Sequence, residues 1–354
     1  MSLQEIRPFR LSAGMPTTGR ARAGVWTRSG LLVLAVALLA VLSAASIAVG
    51  SREIQLAEVF RVLVNPDGAW NDAVVNGMRV PRTLLGLAVG TALGVAGAVM
   101  QGLTRNPLGD PGLLGVSAGA AFGVVLATGV LGIGSLYGYV WFAFAGALVA
   151  TVVVHVLGSH GHGGATPAKL ALAGAAVTAF LSALTGALIL MDTNALNTYR
   201  FWSVGSLAGQ DPRLLPQVLP FLVAGLLLAA ASASALDTLA LGEDVARALG
   251  QRLGWTRVRA AGAIVLLAGS AVAVAGPIVF VGLVIPHIAR AICGPVHRWL
   301  LAFSAVLGAC LLLAADVAGR VVARPEEVQV GIVVAFVGVP FFIAVARRRR
   351  LAEL

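Results

Sequence analysis

Residues 257–293 read RVRAAGAIVLLAGSAVAVAGPIVFVGLVIPHIARAIC, an apolar run almost without interruption. A helix needs roughly 20 apolar residues to cross a hydrocarbon core of about 30 Å. The run is too long for one crossing. Gly276-Pro277 offers the break, because proline removes a backbone donor and its ring clashes with the preceding turn. The stretch therefore predicts two membrane helices, 257–276 and a short 278–293. The same criterion applied outward gives eight more: 30–49, 82–103, 112–131, 138–157, 168–190, 214–235, 299–318 and 328–346. The fold class that follows is an all-α polytopic membrane protein with about ten transmembrane helices.

Composition agrees. The chain of 354 residues is 58% hydrophobic and 11% charged, with a mean hydropathy of +0.92. Soluble domains carry about 25% charged residues, so a soluble enzyme and a disordered chain are excluded. Cys293 and Cys310 lie in apolar stretches with no pairing pattern, which excludes a disulfide scaffold and predicts buried free thiols. The net charge of +10 comes from 24 arginines and one lysine, Lys169, with no basic patch interleaved with aromatics. That pattern does not suggest nucleic acid; it suggests loops biased by the positive-inside rule. With ten spans and an inside N-terminus, 17 basic residues fall inside against 8 outside. Both termini are expected on the cytoplasmic side: a basic tail 1–29, the membrane domain 30–346 and a basic tail 347–354 that opens with Arg347–Arg350. The basic leader is long and the first apolar run is span-length, so that run reads as a retained helix rather than a cleaved signal.

Two connections are long. The outside segment 50–81 is amphipathic and rich in Asn, Asp and Trp. The inside segment 236–256 has apolar residues near helical spacing, with Gly242 and Gly250 as punctuation; it predicts one or two short helices on the cytoplasmic face, a docking element rather than a plain connector. Residues 90–99 (GTALGVAGAV) also align with 269–278 (GSAVAVAGPI). The two copies run in opposite directions, as an inverted repeat of a transporter requires.

The spans hold few ionisable groups, chiefly His155, His287 and Asp316. No carboxylate or histidine chain crosses the membrane, which argues against an ion-coupled carrier. The lone lysine sits in Thr-Pro-Ala-Lys169-Leu, so the chain has no P-loop to hold ATP. Gly115-Val-Ser117-Ala-Gly119 matches a nucleophile elbow in form, but it lies in an apolar helix where small residues serve packing. A serine hydrolase would need Ser117 beside His287. His155, His160 and His162 lack a neighbouring carboxylate or cysteine and read as loop histidines rather than a metal site.

Three blocks carry a family resemblance. The first runs from Arg79-Val-Pro-Arg82 through Arg105-Asn-Pro-Leu-Gly-Asp110-Pro-Gly-Leu-Leu-Gly115. The second is Leu239-Ala-Leu241-Gly242-Glu243-Asp-Val-Ala246-Arg247-Ala-Leu249-Gly250. The third is Ala275-Gly-Pro277 through Pro286-His287-Ile-Ala-Arg290, followed by Ala315-Asp316-Val-Ala-Gly-Arg320. Over residues 30–346 the chain resembles the FecCD/BtuC family, permease subunits of bacterial ABC importers for ferric siderophores, haem and vitamin B12.

The resemblance implies a type II ABC importer permease, BtuC-like, in the bacterial cytoplasmic membrane. It implies no catalytic residue, no metal site and no cofactor bound by this chain, with ATP and Mg used by a partner ATPase dimer. A second permease copy or paralogue and a periplasmic or lipoprotein substrate-binding protein complete the implied assembly. Leu239, Leu241, Gly242, Glu243, Ala246, Arg247, Leu249 and Gly250 are the implied ATPase-coupling residues. Arg79, Arg82 and Arg320 are those implied to meet acidic groups on the binding protein. The fifth span, the segment 198–209 with Trp202, Ser203, Gly205 and Ser206, and the last span are implied to line the pathway. The expected cargo is a ferric siderophore; haem, cobalamin and an ion-coupled secondary transporter stay as alternatives. Gly319 and Gln329 depart from the pattern, where a larger apolar residue and a small or apolar one are expected.

Overall fold

The computed structural model describes residues 25–51, 53–160 and 167–347. His162, most of the N-terminal tail and the C-terminal tail beyond Arg347 lie outside them. The described residues form helices joined by turns and short irregular links, without a strand among them. The fourteen α-helices are α1 (Val25–Ala48), α2 (Leu56–Val64), α3 (Trp70–Val74), α4 (Val80–Thr104), α5 (Val116–Val125), α6 (Leu136–Ser159), α7 (Pro167–Met191), α8 (Thr193–Trp202), α9 (Leu214–Leu239), α10 (Glu243–Ala248), α11 (Leu253–Ala275), α12 (Val281–Cys293), α13 (His297–Val322) and α14 (Val330–Arg347).

Seven rods are long and apolar enough to cross a membrane, and three shorter apolar helices, Val116–Val130, Val281–Cys293 and Val330–Ala344, accompany them. Ten apolar helices result, at the places where the sequence predicts spans. The long run splits as expected: α11 ends on Gly276, whose φ of +73° leaves the helical region, and α12 begins at Val281. The segment 50–81 is more ordered than its polarity suggests. It folds α2 under Val75 through Val59 and Val62, and its last ten residues join α4 through one π-helical turn, Val75–Arg79, to make a single rod from Trp70 to Thr104.

Small residues set the core. In lipid no hydrophobic force separates one helix from another, so close packing and hydrogen bonds hold the bundle. The α4 rod is 78% buried over its most apolar window, against 6% for α1. It therefore occupies the centre, touching α9, α11, α12 and α13, while α1 packs on the outside along α13. A methyl group added at Gly97 would overlap the Gly282 carbonyl of α12, and one at Gly94 would overlap the Ser304 carbonyl of α13. The Gly115-to-Gly119 match serves the same end: Gly119 abuts the Gly146 carbonyl of α6. The aligned repeats diverge at their last glycine, since Gly97 continues its helix and Gly276 ends one. Gly319, the first departure, has a cause: its face meets the Val328 carbonyl with no room for a side chain.

Candidate functional site at the two ends of the bundle

At one end, α9 hands over to α10. Gly242 sits at φ +108° and Gly250 at φ +80°, backbone states that glycine reaches without a steric cost. They turn the chain out of α9 and back into α11. Between them the residues predicted to couple separate into three groups. Leu239 and Ala246 are buried and seat α10 on the bundle. Leu241, Val245 and Leu249 on and beside α10, and Trp255 at the start of α11, are 65%, 45%, 64% and 64% exposed, an apolar ledge on this end. Glu243 points sideways: its Oε1 accepts from Arg257 Nη2 at 2.7 Å, its Oε2 from Arg247 Nη2 at 3.1 Å, and Arg105 stands 4.0 Å away. Val245 and Trp255 are absent from the sequence-based set. Their signal was present, as apolar residues in a stretch otherwise rich in arginine. Nearby, Asp237 Oδ1 accepts from both the backbone N and the ring Nδ1 of His297, at 2.8 and 2.7 Å, and pins the foot of α9 to the start of α13.

At the opposite end three breaks in the helices meet. Ser206 N donates to Ala275 O at 2.8 Å, and Gly331 N donates to Gly205 O at 3.1 Å. Gly205, at φ +77°, lies against the Pro277 carbonyl, where a Cβ would stand 2.5 Å from the oxygen. Of the residues implied to line the pathway, Trp202 and Ser206 border a cavity of about 580 Å³; Gly205 is a packing point and Ser203 does not reach that cavity. Gln329, at the start of the last predicted span, and Gln210, one residue past the predicted 198–209 segment, border it as well. Gln329, the second departure, keeps its Oε1 buried without a partner, as Gln210 does its Oε1 and Trp202 its Nε1. His287 packs edge-on against Phe341 at 5.7 Å. Among the described residues no group of three or more His, Cys, Asp or Glu could hold a metal ion, and His160 Nδ1 pairs with Val156 O at 2.9 Å.

The arginines implied to dock a binding protein form one network with interior partners. Arg79 is buried and donates to the carbonyls of Ile47 and Ala48. Arg320 is buried, paired with Asp316, and donates to Ser46 O at 2.7 Å and Val49 O at 3.0 Å. Together they satisfy the carbonyls that a helix C-terminus leaves open, here those of α1. Arg82 donates to Asp316 from Nε at 3.1 Å and Nη2 at 2.8 Å, and its Nη1 meets Glu327 Oε2 at 2.6 Å. Burial pushes the Glu327 carboxyl up, but hydrogen bonds from Arg82 and Ser51 more than offset it and hold the group below its usual range. Arg82, 14% exposed, is the most open of the three.

A central glycine-faced rod, ten apolar helices, an apolar ledge at one end and cavities at the other define a membrane permease. The chain belongs to the FecCD transport family, whose model matches residues 38–348. It is 43% identical over 321 residues to the ferric enterobactin transport system permease protein FepD of Escherichia coli, covering 90% of this chain and 94% of that protein. It is 41% identical over 305 residues to the Fe(3+)-citrate import system permease protein YfmD of Bacillus subtilis, covering 86% and 90%. Among solved structures, a chain from an inward-facing metal-chelate type ABC transporter superposes with a TM-score of 0.79 at 28% identity, over 91% of this chain and 99% of that one.

Proposed function

We propose that this chain is the membrane-spanning subunit of an ABC importer that moves a ferric siderophore into the cell, powered by a separate ATPase and performing no catalysis itself. The observation that carries the reading is the ledge of Leu241, Val245, Leu249 and Trp255 on α10 and the start of α11. An exposed apolar patch on a short, glycine-hinged helix calls for a protein partner, and a chain without a P-loop needs one that burns ATP. Two ATPase copies, with ATP and Mg, would grip this ledge and its equivalent on a second permease. Closure of the ATPase pair would then push α10 and rock the bundle between outward- and inward-open states. The ledge would lie in the cytoplasm with both termini, and the cavities would face the binding protein. Docking would rest chiefly on Arg82, the most exposed of the three arginines that border the cavities, while Arg79 and Arg320 are largely taken up by the end of α1. Relatives that carry enterobactin or citrate iron favour a siderophore over haem or cobalamin.

The test is the reconstituted importer. Leu241→Asp with Leu249→Asp changes two surface side chains and leaves the seat of α10 intact. Binding-protein-stimulated ATP turnover should fall to the level of the ATPase alone. Unchanged turnover would refute the coupling role of the ledge.

A further inference from the structure

At the α10 end, Arg105, Arg247 and Arg257 gather round the carboxylate of Glu243. Arg28, on the first turn of α1, and Arg290, on the last turn of α12, have no carboxylate partner among the described residues. Arg290 Nη1 donates to the neutral Gln101 Oε1 of α4 at 3.2 Å, and Arg28 Nε is covered without a partner. The two meet at the end of α12. Gly294 leaves that helix at φ +82°, and its N donates back to Arg290 O at 2.9 Å. A Cβ built on Gly294 would stand 3.6 Å from Arg28 Nη2, and the Cys293 sulfur lies in the field of both guanidiniums. Both arginines are half-buried, while the carbonyl end of a helix supplies only a fraction of a negative charge. Burying a cation without a full counter-charge is unfavourable, so the notch calls for an anion from outside. Its surroundings say which kind. Over its most apolar window α1 is only 6% buried, so its flank meets lipid. Leu31, a turn further into α1, and Ile292, two residues before Gly294, are each 37% exposed, and Trp26, 91% exposed, stands where interfacial tryptophans gather.

We propose that the notch between the start of α1 and the end of α12 is a site for the phosphate of an anionic phospholipid, with Arg28 and Arg290 on its oxygens and an acyl chain along Leu31 and Ile292. Guanidinium edges suit phosphate oxygens, and basic pockets between membrane helices recruit such headgroups. A free phosphate would answer the two charges but make no use of the apolar side chains beside them. The lipid would act as a staple. It would fasten α1, which otherwise leans chiefly on α13, to α12, and through the Arg290–Gln101 bond to the central rod.

The test is native mass spectrometry of the full-length chain in detergent, titrated with dioleoyl phosphatidylglycerol, dioleoyl phosphatidylcholine or inorganic phosphate. The unaltered chain should retain phosphatidylglycerol over phosphatidylcholine, and inorganic phosphate at matched phosphorus should not displace it. Arg28→Gln and Arg290→Gln should each weaken phosphatidylglycerol binding about tenfold, as the loss of one charged hydrogen bond predicts, and leave phosphatidylcholine unchanged. Arg28→Lys keeps the charge, guards against misfolding and should lose less. Arg252→Gln removes a charge from an exposed position at the start of α11 and should change little. An equal loss in Arg252→Gln would reduce the effect to the general potential of a basic face and overturn the site. Displacement by inorganic phosphate would make the occupant a free anion and overturn the lipid, as would the lack of any preference in the unaltered chain. A preference that emerges only in Glu5→Gln would give the site to the one acid of residues 1–24 and overturn it too. In nanodiscs, phosphatidylglycerol should raise the thermal midpoint above that in phosphatidylcholine, and the Arg28→Gln, Arg290→Gln double variant should lose that gain; a gain that persists would overturn the staple.

Discussion

Asp316 is the residue on which one end of the bundle turns. It is 1% exposed and takes two guanidiniums, from Arg82 and Arg320, while Arg320 also holds the end of α1. Removing one partner of a buried ion pair leaves the other charge uncompensated, at a cost of about 3–5 kcal/mol. Asp316→Asn should therefore lower the midpoint of chemical unfolding in detergent by that order, and loosen α1 at Ser46–Val49. Glu327 behaves differently because it faces cavities. Its carboxyl is held low by Arg82 and Ser51 against the effect of burial, with Arg320 adding to the positive field. A depressed carboxylate contributes its bond fully above the unfolded value of 4.5 and loses it as pH falls through the lower folded value. Stability in detergent should hence hold from neutral pH to about 5 as far as this pair is concerned and fall only in stronger acid. Glu327→Gln should remove that acid-dependent loss, and a variant that keeps it would show that another group titrates.

At the scale of elements, α10 matters through what it leans on. Ala246 and Leu239 fix its depth, and Glu243 ties it to Arg257 of α11 and approaches Arg105 at the end of α4. A push on the ledge thus reaches the central rod through a carboxylate shared by arginines from different helices. Charge reversal tests the path. Glu243→Arg places a third cation beside Arg257 and Arg247 and should uncouple ATP turnover from uptake while turnover itself persists; adding Arg257→Glu should restore at least part of the uptake. Failure of the double variant to recover, with normal insertion, would show that the ledge alone transmits the push. The glycine contacts belong here too. Gly97→Ala forces α4 away from the Gly282 carbonyl of α12, and overpacking of this kind costs about 1–3 kcal/mol, readable as a lower thermal midpoint in detergent.

Across the whole molecule, the ten helices were legible because a lipid solvent imposes a length and an apolarity that any reader of the chain can count. The α10 hinge was legible through Gly242 and Gly250, which mark its ends. The arginine network was not, because Arg82 and Asp316 lie 234 residues apart and Arg324 reaches Glu53 across 271; no local pattern announces such pairs, and the family resemblance turned Arg79, Arg82 and Arg320 toward a partner protein. The same global view sets the final expectation. The described spans contain no run of carboxylates or histidines from one end to the other: the α8 end has its charges gathered at Asp316 and its arginines, and the α10 end has Glu243 and Asp237 with theirs. Between them α4 packs against both α11 and α13, chiefly through small and aliphatic residues. Proton coupling needs ionisable groups near the middle of the membrane, and among the described residues the middle of α4, α11 and α13 carries hydroxyls, those of Thr91, Ser270 and Ser304, but no ionisable group. The purified permease alone in liposomes, given a proton or sodium gradient, should therefore leave ferric citrate and a ferric trihydroxamate at their equilibrium distribution, and accumulation should begin only when the ATPase, ATP, Mg and a loaded binding protein are all supplied. Uphill accumulation by the lone chain would place the energy source inside a bundle whose central helices show, among the described residues, no ionisable group at mid-depth.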